Sequence, residues 1–188
     1  MRSPRLPHTP ALALAPALAG ALLAALGLAA PARAADLVVT APPGFSATAM
    51  PPTGQQAARF SVRRPSDQDT GCQVAYTPAP QNNALTQEQV NTLIRTPGWQ
   101  NVARATLERI YDIRGMSTLE MGPRAGLQIQ ADFKPLPSLP PRAQQLRSLF
   151  GIFETPRGRT TTVCVFEKSE AEARQGDFLA LLRGITPP

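Results

Sequence analysis

Apolar and polar residues alternate with a period of two at three places along the chain. Ala58, Phe60 and Val62 fall on one side, and Arg59, Ser61 and Arg63 on the other. Cys72, Val74 and Tyr76 repeat the pattern, as do Leu127, Ile129, Ala131 and Phe133 against Gln128, Gln130 and Asp132. Such alternation predicts half-buried antiparallel strands. The polar, turn-rich residues 65–71 join the first two into a hairpin. Residues 146–154 and 159–167 carry apolar side chains on both faces, which predicts central strands of a covered sheet. Their link, Thr155-Pro156-Arg157-Gly158, has hairpin chemistry, with Gly158 offered for a positive φ. Residues 45–49 lie between Pro42-Pro43-Gly44 and Pro51-Pro52 and suit an edge strand. Residues 36–40 read either as a first strand or as a loose arm.

Helical spacing occurs twice. Thr86 and Gln89 form a capping-box pattern ahead of Val90, Leu93 and Ile94, and Pro97-Gly98 stops or kinks that helix. Residues 99–113 satisfy both periods in part, and we place helix to about Ala103 and strand after it. Near the end, Ser169 and Glu172 repeat the capping pattern, with Asp177 as a second candidate N-cap. Phe178, Leu181, Leu182 and Ile185 form an apolar stripe, closed by Gly184 and the prolines beyond. Residues 134–142 hold four prolines and read as an extended linker. The composite is an α+β domain: an antiparallel sheet of about five to seven strands with helices packed on its faces, α/β/α sandwich-like.

The first residues change the compartment. Arg2 and Arg5 precede an Ala/Leu run, and Ala32-Arg33-Ala34 supplies a small-residue cleavage site before Ala35. This order is that of a secretory signal peptide. The expected organisation is a signal peptide over 1–34, an extended N-terminal arm over 35–43 and a single domain over 44–188, periplasmic or secreted, with no stable membrane insertion after cleavage. Removing Arg2, Arg5 and Arg33 takes Lys+Arg from 19 to 16 against 13 acids, and the formal charge from +6 to +3. So small a charge, spread along the chain, does not point to nucleic acid. Arginine is favoured over Lys134 and Lys168, and the Ala/Pro richness fits a GC-rich bacterial source and a Gram-negative envelope.

The order of a Gly44-Phe45 entry strand, early hairpin, middle helix, long meander and C-terminal Phe-x-x-Leu-Leu helix resembles the PsbP-type α/β/α sandwich, named for an extrinsic photosystem subunit. TPRGRTTTVC followed by FLALLRGI is also similar to small secreted proteins of Gram-negative bacteria. The resemblance covers about residues 44–185. It implies the fold and an accessory or assembly role. The metal-binding histidines of some members of that fold have no counterpart here.

Candidate chemistry is sparse. The single histidine, His8, lies in the leader, so a cleaved chain has none and loses histidine-based triads, zinc sites and pH switches together. Cys72 and Cys164 are an even pair in an oxidising compartment and are candidates for a disulfide. The alternative is two buried thiols acting as small hydrophobes, and Cα atoms within about 7 Å would decide for the bond. No catalytic residue, metal site or cofactor is assigned. Candidate partner-contacting residues are Arg157 and Arg159 at the hairpin tip and Trp99 beside the helix break. The expected function is a non-enzymatic envelope module that binds another protein. A small-ligand or envelope-glycan binder is the first alternative, and a histidine-free carboxylate hydrolase the second.

Overall fold

The computed structural model describes residues 36–188, together with the backbone of residues 32–34. The expected leader over 1–34 otherwise lies outside the described residues. The strands are β1 (Ala32–Ala34), β2 (Leu37–Val39), β3 (Ser46–Met50), β4 (Ala58–Arg63), β5 (Gly71–Pro78), β6 (Tyr111–Met121), β7 (Arg124–Phe133), β8 (Leu146–Thr155), β9 (Gly158–Glu167) and β10 (Ile185–Thr186). The helices are α1 (Gln87–Arg95), α2 (Pro97–Leu107) and α3 (Gln175–Arg183). A seven-stranded antiparallel sheet runs in the order β3-β4-β5-β9-β8-β7-β6, and a small sheet runs β1-β2-β10. The fold is α+β, with β3 at an edge and β9 at the centre.

Strand parity divides the core in two. On one face Phe60, Val74, Phe153 and Phe166 bury against Phe178, Leu181 and Leu182 of α3 and against Leu37 and Val39 of β2. On the other, Leu127, Ile129, Phe150 and Ile152 bury against Val90 and Ile94 of α1. α3 approaches the sheet closely at Gly151, where a Cβ would lie 2.7 Å from a Leu182 methyl. Leu37 and Val39 are fully buried, so residues 37–39 form a strand of the core rather than a loose arm.

Local signals account for most element ends. Thr86 Oγ1 accepts from Gln89 N–H, and Gln89 Oε1 accepts from Thr86 N–H, a complete capping box at α1. Thr96 then serves two helices. Its hydroxyl donates to Leu93 O at 2.6 Å and accepts from Trp99 N–H, while Pro97 opens α2. α2 continues to Leu107 instead of ending near Ala103, and the next strand starts at Tyr111. β6 had little signature in the sequence. It is a mostly exposed edge strand, and a register shift between Ile113 and Gly115 breaks its parity.

Two further expectations are corrected. Ser169 caps no helix. Residues 168–174 form turns, and α3 begins at Gln175, with Asp177 inside its first turn. Arg174 holds that segment by a 3.2 Å ion pair to Asp67 and by lying 5.6 Å over the Phe166 ring. Gly158 does not take a positive φ. Glycine is needed there because a Cβ would meet the Thr77 carbonyl and, at 2.7 Å, the Tyr76 ring.

Cys72 and Cys164 face each other in the β5–β9 register, with Cα atoms 3.9 Å apart, and form a disulfide. Both are buried in the α3-side core, so the bond ties the central strand to its neighbour across 92 residues of sequence. Replacing both with alanine is expected to remove up to about 4–5 kcal/mol of folding stability, read by urea unfolding. A loss under about 1 kcal/mol would mean that the closed loop contributes little.

Candidate functional site

The helices leave part of the sheet bare. α1 and α2 pack over β6, β7 and β8. The same face continues across β9, β5 and β4 without a helix above it among the described residues. β9 presents Arg159, Thr161, Val163 and Val165 there, and all four are at least partly exposed. Across the register, Thr161 is level with Ala75, then Arg59, then Met50. Val163 is level with Gln73, Ser61 and Thr48 in the same way. The floor is therefore built of short and polar side chains with arginines at intervals.

Two clefts meet on this floor. Between α2 and β9 lies an apolar groove of about 220 Å³ lined by Trp99, Val102, Ala103, Thr106, Leu107, Phe150, Ile152, Arg159 and Thr161. Val102, on the α2 rim, is 68 % exposed. Past β9 lies a polar cleft of about 640 Å³ lined by Gln55, residues 77–81, Arg159 and Thr161. Arg159 and Thr161 are the shared wall.

Arg159 is held from below. Its Nε donates to Glu154 Oε1 across the hairpin, where the two residues are direct partners. Glu154 is buried, and its other oxygen accepts from Asn82 Nδ2 at 3.3 Å. The guanidinium carbon lies 5.6 Å from the centre of the half-buried Trp99 ring, within cation–π range. The structure thus brings Arg159 and Trp99 together. Trp99 packs on the α1-side core with part of its surface and lines the groove with the rest.

Arg157 is placed elsewhere. It sits at the hairpin tip, mostly exposed, 3.6 Å from Asp36 ahead of β2. Its carbonyl accepts from the Tyr76 hydroxyl at 2.7 Å. Arg157 and Arg159 therefore form no joint clamp. The sequence reading also missed Glu154, Arg59, Thr161 and Val102. For Glu154 a signal existed: a two-residue turn at Pro156-Arg157 sets residue 154 opposite residue 159.

Several carboxylates elsewhere are tied to arginines. Arg142 bonds both Asp69, at 2.8 Å, and Glu167, and these hydrogen bonds hold both carboxyls below the ordinary range. On the opposite face, burial works against the charge of Asp132, but the hydrogen bonds from Arg147 and Arg114 outweigh it and lower its pKa. Among the described residues, no three His, Cys, Asp or Glu side chains converge as a metal site would require, and no helix is long and apolar enough to cross a membrane.

No family model matches the chain, and no curated protein matches it. Solved structures do. The chain is similar to CyanoP, the cyanobacterial PsbP of Synechocystis sp. PCC 6803, at 9 % identity, over 81 % of this chain and 86 % of that one, with a TM-score of 0.51. The fold is PsbP-like. PA94 of Pseudomonas aeruginosa, a protein of unknown function, aligns over 86 % of this chain and 99 % of its own at 9 % identity, with a TM-score of 0.42.

Arg159→Ala would leave the buried Glu154 without its cation and is expected to cost about 1–3 kcal/mol. Adding Glu154→Gln, which removes the stranded charge, should recover most of that loss. Both are read by urea unfolding, and an Arg159→Ala protein as stable as the parent would show that Glu154 does not depend on this bond.

Proposed function

We propose that the chain is an exported, non-catalytic accessory domain of the bacterial envelope that binds another protein through the bare half of its sheet. One observation carries this reading: among the described residues no helix lies above the four-strand face over β3, β4, β5 and β9, and an apolar groove with exposed Val102 borders it. A folded chain gains by covering such apolar surface, and a partner can supply the cover.

Other features support the parts of the reading. Export rests on the leader pattern over 1–34 and on a disulfide of the kind that persists in oxidising compartments. An accessory role is what the PsbP resemblance implies. The non-catalytic assignment rests on the carboxylates: Asp69 and Glu167 share Arg142 and are held ionised, the opposite of what a general acid needs. The small-ligand alternative is weakened by size and lining together. The apolar groove, at about 220 Å³, falls below the usual 300–1,000 Å³ of ligand cavities, and the adjoining cleft that reaches that range, at about 640 Å³, has a polar lining where such cavities are mostly apolar. Its continuation past Arg159 as a polar cleft suits an extended chain segment better than a compact molecule.

A photo-crosslinking residue placed at Thr161 or Ser61 in the native bacterium should give an adduct of defined mass. The same residue at exposed Glu172, beside α3, should give none. Absence of adducts at Thr161 and Ser61, or equal labelling at all three positions, would sink the reading. In the same cells the protein should be recovered from the periplasmic fraction with Ala35 as its N-terminus; a cytoplasmic protein with its leader intact would overturn the exported part.

A further inference from the structure

Resting on the reading just given, we infer that the partner presents an extended acidic segment, in which a carboxylate meets Arg159 and an adjacent aliphatic or aromatic side chain enters the groove beside α2. Charge is the first ground. Arg59, Arg63 and Arg159 stand on the bare half of the sheet. Among the residues lining its clefts the acidic one is Asp69, and Arg142 already neutralises it. A segment bearing carboxylates complements this face, and a basic one is repelled.

Geometry at Arg159 is the second ground. Glu154 engages only Nε, and Nη1 and Nη2 have no protein partner among the described residues. Asn82 steadies the Glu154 carboxylate that holds Nε, and Trp99 lies alongside the guanidinium. A guanidinium fixed through Nε and open at both Nη atoms is set to take a second carboxylate with little further loss of freedom. The apolar groove begins at the same residue, so charge and apolar contact fall within one short stretch of partner chain.

A second cation lies to the side, on β4, two strands from β9. Arg59 is level with Thr161 through Ala75, and its Nε is buried with no partner among the described residues. That nitrogen is shut away from the surface, so what Arg59 offers a partner is its positive charge. From Arg159 to Val165 the floor runs about 20 Å at ~3.3 Å per residue, room for roughly six residues of extended chain. β9 is already paired on both sides, by β5 and β8. The segment therefore lies across the face and is read through its side chains, not added as another strand.

The test selects random twelve-residue peptides displayed on phage against the mature chain from Ala35, which keeps the whole seven-stranded sheet and α1, α2 and α3. Recovered peptides should be enriched in Asp or Glu next to Leu, Ile or Phe. In ¹⁵N spectra they should shift the Trp99 indole. Val102→Asp, at an exposed position, and the fold-preserving pair Glu154→Gln/Arg159→Gln should each weaken binding at least about tenfold. Selection without acidic enrichment, or acidic peptides that leave Trp99 unmoved or bind both variants as tightly as the parent, would overturn the inference. If crosslinks at Thr161 still form in the cell, only the partner's chemistry has been misassigned. If they do not, the reading of the face itself fails with it.

Discussion

Seven strands spaced about 4.8 Å apart make a sheet about 29 Å wide, and helices packed side by side cover only about 8–10 Å each. The three helices among the described residues cannot cover both faces. Here α1 and α2 take one half of one face, and α3 with the β1-β2-β10 sheet covers the other face where β4, β5, β9 and β8 lie. The two covers are displaced from each other across β9 and β8. Whatever is left uncovered must be tolerable in water, and the side chains follow that rule. β9 carries Thr160, Thr162, Cys164 and Phe166 inward to a closed core and Arg159, Thr161, Val163 and Val165 outward to an open floor.

Once the central strand has one closed face and one open face, its anchoring has to come from the closed side. The Cys72–Cys164 bond lies there, among Val74, Phe166 and Leu149. It joins β5 to β9, the pair from which the bare half of the sheet extends. A pair of strands covered on one face loses much of the apolar burial that a fully covered pair would have, and a covalent link that restricts the unfolded chain offsets part of that deficit. The gain is entropic in this account and does not depend on what covers the open face.

Much of the architecture was legible because period-two patterning reports burial on each face separately. β4, β5 and β7 alternate cleanly, and β8 and β9, apolar on both sides, occupy the middle of the sheet. The failures share a cause: each lies where burial stops dictating the pattern. β6 is an exposed edge with a register shift, so its residues follow neither period. Trp99, Ala103 and Leu107 touch the core only along one side of α2, and a sparse stripe of that kind can be drawn as helix or strand. Ser169 carried a cap signature, yet the segment it opens is fixed by Arg174 on Asp67, a contact between residues 107 apart that no local pattern encodes.

The same distinction governs the site. Arg159 and Trp99 could be singled out by residue type, but which of the two tip arginines joins Trp99 depends on strand parity: Arg159 lies within β9 and projects to the α2 side, while Arg157 lies in the turn and pairs with Asp36. A fold shared with CyanoP at 9 % identity specifies the sheet and the helix positions and leaves these surface side chains free to differ, since packing constrains inward residues far more than outward ones. The buried Glu154 is informative on that account. A carboxylate in a core position costs desolvation that an apolar residue would avoid. What it secures is the orientation of one outward arginine at the junction of two clefts and, through Asn82, the tie of residues 80–82 to the end of β8.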